Sequence, residues 1–133
     1  MNAFTKKHIE TVRNIARNNT VGNHFAAAII YENQIYYGNN KVNHCFDPTH
    51  HAEIDVIRLV CSLTEKTLLK GAKILSSGEP CPLCLTAIAW AGIKEVYYLD
   101  SYKIANKNGF AYDRDCKKVN RQLNLGLKIK QLK

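Results

Sequence analysis

With 133 residues, 46% of them hydrophobic, the chain is long enough for one domain with its own core and too apolar for disorder. It contains no run near the ~20 apolar residues of a membrane span, it carries Lys6, Lys7, His8 and Glu10 where a signal peptide needs an apolar stretch, and its five cysteines do not suit a secreted disulfide scaffold. A cytoplasmic protein without a membrane partner is expected, and its formal charge of +8 gathers at one end, where residues 103–133 hold nine basic side chains against Asp113 and Asp115. Such an end suits RNA, a nucleotide phosphate or another polyanion, and equally a solvated face; charge alone does not choose.

Ile9, Val12, Ile15 and Ala16 recur at helical spacing, which predicts an amphipathic helix over residues 6–17. A loop covers 18–23. The apolar run 24–31 reads as a strand, Glu32-Asn33 as a turn, and 34–37 as the second strand of a hairpin. Residues 38–50 read as polar loop. A helix is expected over 51–61 on Ile54, Ile57 and Leu59, then a short strand over 72–76. Pro82 opens a helix over 82–91, since a first turn has no use for the missing N–H, and Gly92 ends it. The next strand, 95–99, is made of near-continuous β-formers. A helix over 113–123 and an alternating edge strand over 127–132 follow. The order α-β-β-α-β-α-β-α-β predicts an α/β fold, a three-layer α-β-α sandwich around one five-stranded mixed sheet, in a single domain.

Two segments carry chemistry, each at the start of a predicted helix: His51-Ala52-Glu53 and Pro80-Cys81-Pro82-Leu83-Cys84. Cys81 and Cys84 stand three apart on a helix, so both sulfurs can face one point. In the first turn, free N–H groups and the helix dipole favour thiolate. An imidazole adds a third ligand, and three protein ligands leave a position for water, as catalytic zinc requires. Zinc lowers the pKa of that water, and Glu53, not needed as a ligand, can move its proton. Together these form the H-x-E and P-C-x-x-C pattern of zinc deaminases. Other readings remain open: a redox C-x-x-C pair, or a closed structural zinc completed by Cys45, Cys61 or Cys116. His50 and His51 are adjacent, and helical geometry does not choose between them.

Asp47-Pro48-Thr49-His50-His51-Ala52-Glu53-Ile54 resembles the D-P-T-A-H-A-E-[IV] motif of the cytidine/deoxycytidylate deaminase superfamily, and Glu79-Pro80-Cys81-Pro82-Leu83-Cys84 resembles its E-P-C-x-M-C. The resemblance implies a cytidine-deaminase-like fold, Zn²⁺ held by His51, Cys81 and Cys84, and Glu53 as the catalytic acid–base. Ala87-Ile88-Ala89-Trp90-Ala91 and Asn106-Lys107-Asn108-Gly109-Phe110 resemble stretches of the bacterial guanine deaminases. Asn40 matches an asparagine that contacts base or ribose in guanine and tRNA adenosine deaminases, and Phe25 matches a phenylalanine of the pocket wall. Phe25, Asn40 and Trp90 are therefore expected to shape the substrate pocket. Three departures stand against a guanine assignment: Ile104 replaces an aspartate that reads guanine, Lys133 falls before the tail that completes that pocket, and His24 and Ala26 replace proline and glycine. The resemblance implies a hydrolase that deaminates a small nucleobase or nucleoside, purines first. The alternatives are a tRNA-specific adenosine deaminase with RNA as partner, and a non-catalytic zinc-binding domain. The family is usually oligomeric, and the surface around Ala87, Trp90 and Ala91 is the candidate interface of a homodimer.

Overall fold

A computed structural model describes residues 1–101 and 115–132. The expectations that fall on Ile104, on 106–110 and on the start of the 113–123 helix lie outside the described residues. The elements are α1 (Lys6–Arg17), β1 (Ala26–Tyr31), β2 (Gln34–Asn39), α2 (Val42–Cys45), α3 (Ala52–Thr64), β3 (Lys73–Gly78), α4 (Pro82–Trp90), β4 (Glu95–Asp100), α5 (Cys116–Gln122) and β5 (Lys128–Gln131). Thr5 caps α1 reciprocally: its Oγ1 accepts from the His8 N–H at 3.3 Å, and His8 Nδ1 accepts from the Thr5 N–H at 3.1 Å. Glu32 and Asn33 both adopt left-handed backbone, which makes the expected turn the two-residue type that matches hairpin twist.

The strands form one mixed sheet in the order β2-β1-β3-β4-β5. β1 runs antiparallel to β2 and β3, while β3, β4 and β5 are parallel. Alternating side chains divide the core between two layers. Ala26, Ala28, Leu75 and Leu99 pack with Val12 and Ala16 of α1 on one face. Ala27, Ile29, Ile74 and Val96 pack on the other with Val56 and Val60 of α3, Leu85 and Ile88 of α4, and Val119 of α5. The expected three-layer α/β sandwich is therefore present. Among the described residues no helix is long and apolar enough to cross a membrane.

Two local differences from the sequence reading have physical causes. Residues 42–45 form one helical turn inside the expected loop, started by Asn40 Oδ1 accepting from the Val42 N–H at 3.1 Å. α3 runs three residues further than its apolar pattern suggested, until Glu65 in left-handed conformation returns its N–H to the Cys61 carbonyl. Gly38 permits the β2–α3 contact: a Cβ there would stand 2.8 Å from the Val56 nitrogen and 2.9 Å from its Cβ. The topology brings the start of β1 and the ends of β2, β3 and β4 to one edge, since Ala26 pairs with Asn39 and Ala27 with Ser76. α3 and α4 begin beside that edge, and the crevice outside strand carboxyl ends is where α/β sheets bind ligands.

Candidate metal centre

His51 is the N-cap residue of α3 and Cys81 that of α4, both in extended conformation, while Cys84 lies in the first turn of α4 behind Pro82. His51 Nδ1 is 3.5 Å from Cys81 Sγ and 3.4 Å from Cys84 Sγ, and the two sulfurs are 3.5 Å apart. Ligand atoms around a tetrahedral ion with bonds of about 2.0–2.3 Å stand roughly 3.5–3.8 Å from one another, so this triangle has the dimensions of a coordination site. Its donors, two thiols and an imidazole, suit a borderline-soft divalent metal. Among the described residues no other group of three such side chains converges this closely.

The electrostatics fit the same purpose. The hydrogen bond with Cys84 brings the Cys81 thiol down to about 5, with His51 assisting against burial. Cys84, sharing that proton with Cys81 and buried, is raised well above the ordinary thiol value. Its hydrogen bond with Cys81 raises His51 against burial, with the Pro48 carbonyl adding a smaller push in the same direction. Glu53, two residues on, is buried in the first turn of α3. Burial and then the negative Cys81 raise its carboxyl to about 7. That carboxyl in turn helps to raise the Cys84 thiol. Ser76 Oγ lies next to the Glu53 carboxyl without a hydrogen bond of full geometry. A carboxyl poised near neutrality can both take and give a proton.

Asn40 and Phe25 meet at the same edge, the Asn40 N–H donating to the Phe25 carbonyl at 3.1 Å. Asn40 is buried, its carbonyl accepts from Asn19 Nδ2 at 2.8 Å, and its Oδ1 is engaged by Val42, so its Nδ2 is the group that can face a ligand. Phe25 is half-buried against the core of α3 and α4. Trp90 is not brought to this group. It is 78% exposed at the last residue of α4, and at about 1.5 Å per residue the helix carries it some 13 Å from Cys81.

The two neighbouring histidines part company. His50 turns away from the sulfurs: its Nε2 bonds Asp55 Oδ1 at 2.8 Å, and its Nδ1 meets Arg58 at 3.3 Å. Asp55 also accepts from the Asn39 N–H at 3.1 Å and from Lys41 Nζ. Burial works against its ionisation, but the bonds from Lys41, His50 and Asn39 together hold its carboxyl below the ordinary value. With the Lys41 N–H donating to the His50 carbonyl at 3.0 Å, this network ties the Asn40 segment to the His51 segment. The sequence reading did not find it; the available signal was a second acid, Asp55, in the first turn of α3.

Comparison with known proteins agrees with this geometry. Over 91 residues the chain is 38% identical to the guanine deaminase of Bacillus subtilis (strain 168), which covers 68% of this chain and 58% of that protein. Over 59 residues it is 41% identical to the tRNA-specific adenosine deaminase of Agrobacterium fabrum, covering 44% of this chain and 39% of that one. The chain thus matches roughly half the length of these curated relatives. The crystal structure of guanine deaminase from Bacillus subtilis superposes with a TM-score of 0.74 at 26% identity, covering 92% of each chain. Residues 2–100 match the family described as the cytidine and deoxycytidylate deaminase zinc-binding region, and with both motifs and their geometry in hand, the chain belongs to that superfamily, related to the guanine deaminases and the tRNA adenosine deaminases.

Proposed function

We propose that the protein is a zinc-dependent hydrolase that removes the amino group of a small nucleobase or nucleoside, purines ahead of pyrimidines, and releases ammonia. The observation that carries this reading is the His51–Cys81–Cys84 triangle with a buried carboxyl, Glu53, beside it rather than in it. A redox pair has no use for the imidazole, and a closed structural site has no use for Glu53. Zinc held by these three side chains would supply Lewis acidity, bringing the pKa of a water to about 7. The rest is chemistry of the chain. Glu53 accepts a proton from the attacking water and returns it to the ring nitrogen, then assists as the C–N bond breaks and the amine leaves as ammonia. Asn40 Nδ2 donates to an acceptor on the heterocycle or sugar, and Phe25 offers an apolar wall. The purine preference is supported by the likeness to guanine deaminase.

The whole of 1–133 is read as one deaminase domain. A second copy of the chain is the partner assigned to the surface of α4 around Ala87, Trp90 and Ala91, of which Trp90 is exposed and Ala87 half-buried while Ala91 belongs to the core. Light scattering on the purified protein tests that assignment, with a monomer rejecting it. A second reading, a tRNA adenosine deaminase, is favoured by the 41% identical stretch and the basic C-terminal segment. One experiment separates the readings: ammonia release from guanine, adenine, adenosine, cytosine, cytidine and an unmodified tRNA, with zinc measured on the same preparation. Turnover of a free purine or its nucleoside is expected. Turnover of tRNA alone, falling steeply with salt, supports the second reading, and cytosine or cytidine alone rejects the purine assignment.

A further inference from the structure

Asp55 uses its two carboxylate oxygens on two different segments of the site. Oδ1 accepts from His50 Nε2 at 2.8 Å, one residue before His51. Oδ2 accepts from the Asn39 N–H at 3.1 Å and from Lys41 Nζ, on either side of Asn40. The direction of the first bond is set by Arg58. A guanidinium can only donate, so the His50 Nδ1 that it meets at 3.3 Å accepts, and Nε2 carries the hydrogen given to Asp55. Two backbone bonds run alongside, from the Asp55 N–H to the His51 carbonyl at 2.9 Å and from the Lys41 N–H to the His50 carbonyl at 3.0 Å. The Asp55 side chain is only 14% exposed, so these partners rather than water hold its carboxylate.

We propose that Asp55 is a positioning residue, which holds Asn40 in register with His51 and so sets how tightly the substrate is bound. Both neighbours of Asn40 are fastened to one oxygen, and the other oxygen is fastened beside the metal ligand. Asn40 therefore cannot shift relative to His51 without breaking one of these bonds. Its own Oδ1 is taken by the Val42 N–H, and the bridge keeps the remaining Nδ2 aimed. A carboxylate is the group that fits this place. All three partners are donors, and a carboxamide of the same shape could satisfy them at one oxygen only. The bridge is short because Gly38 has no side chain, a Cβ there standing 3.0 Å from Oδ2. Among the described residues no hydrogen bond joins the Asp55 carboxylate to the sulfurs or to Glu53, so its action falls on binding rather than on the chemical step. A contact made equally in the ground state and the transition state moves KM and leaves kcat in place.

The role in binding rests on the deaminase reading, so the test adds a readout that needs no substrate. Backbone hydrogen exchange, followed by NMR on the zinc-loaded protein, should be about tenfold faster at Asn39, Asn40 and Lys41 in Asp55→Asn than in the native chain, and unchanged in α1. Ammonia release is then measured on the substrate that the native protein turns over, with zinc in excess and rates counted per bound zinc. Asp55→Asn should raise KM about tenfold, the worth of one hydrogen bond to the substrate, with kcat within about twofold of native. Asn40→Ser removes Nδ2 while keeping an acceptor for the Val42 N–H. On that background Asp55→Asn should change KM little further, because two residues that act through one contact are not additive. If Asp55→Asn does not fold, Lys41→Met removes one donor to Oδ2 and should give a smaller rise in KM, and Lys41→Arg should keep the native value. Unchanged exchange, a fall in kcat alone, or KM changes that add in the double variant overturn the proposal and leave the deaminase reading in place. Ammonia from no substrate refutes the deaminase reading and with it the role in binding, and the exchange rates then decide whether Asp55 holds the two segments together.

Discussion

Glu53 and Cys84 influence each other electrostatically, yet their expected contributions are of different kinds, which single substitutions separate. Glu53→Gln keeps the size and most of the hydrogen bonding of the side chain and cannot carry a proton. Zinc content and fold should be retained while turnover falls by at least about 10²–10⁴-fold, the usual contribution of a positioned acid–base. Rates of ammonia release equal to the native protein would show that Glu53 is not the proton carrier. The histidines make a second pair of tests. Because His51 Nδ1 faces both sulfurs and His50 Nε2 faces Asp55, His51→Ala should lose its zinc on dialysis and His50→Ala should keep most of it. The reverse result would mean that the Asp55 network, not the sulfur triangle, holds the metal. This distinction was invisible in sequence at the level of helical spacing. Only the motif resemblance chose His51, because the choice turns on which ring Asp55 captures, an interaction between residues 50 and 55 that no periodicity encodes.

At the scale of elements, the strongest sequence signals were those with local causes. Helix α1 follows its apolar spacing and its Thr5 cap, the hairpin follows a turn at Glu32-Asn33, and α4 begins at Pro82 as the proline dictates. What escaped is non-local. The one-turn α2 depends on the Asn40 side chain, and the extra length of β2 depends on pairing Gly38 and Asn39 with β1. Gly38 makes that dependence measurable. Its missing side chain lets β2 approach the first turns of α3, where a Cβ would collide with the Val56 backbone and, at 3.0 Å, with Asp55 Oδ2. Gly38→Ala must push α3 outward, at a cost of about 1–3 kcal/mol for overpacking. Chemical denaturation should report that loss, and an unchanged midpoint would mean that the β2–α3 contact yields easily. Since Asp55 joins the Asn39 and His51 segments, the same substitution should weaken zinc retention more than an equally destabilising change in the α1 layer, such as Val12→Ala.

For the whole molecule, the His51–Cys81–Cys84 cluster joins parts of the chain that the sheet alone leaves loosely related. His51 begins α3 and Cys81 and Cys84 begin α4, thirty positions later, with all of β3 between them. Fold class was readable because the alternation of elements left few topologies for one sheet. The position of the site at a sheet edge was readable because both motifs sat at predicted helix starts. The bridge at Asp55 was not, since Asn39, Lys41 and His50 reach one carboxylate only when the segment after β2 folds back on the start of α3. A ligand that bridges two helix starts in the native state and has no such site in the unfolded chain must stabilise the whole fold. The gain is RT ln(1 + [metal]/Kd), about 4 kcal/mol at a free metal concentration a thousand times Kd. In a domain of this length that corresponds to a melting temperature higher by about 10 °C or more. Removing the metal with a chelator should lower the melting temperature by that amount, and restoring zinc should recover it. Cys84→Ser should show a smaller response to both treatments. A melting temperature indifferent to chelator and to zinc would mean that the triangle does not hold a metal in the native protein, and a Cys81–Cys84 disulfide in the same preparation would turn the assignment toward redox chemistry.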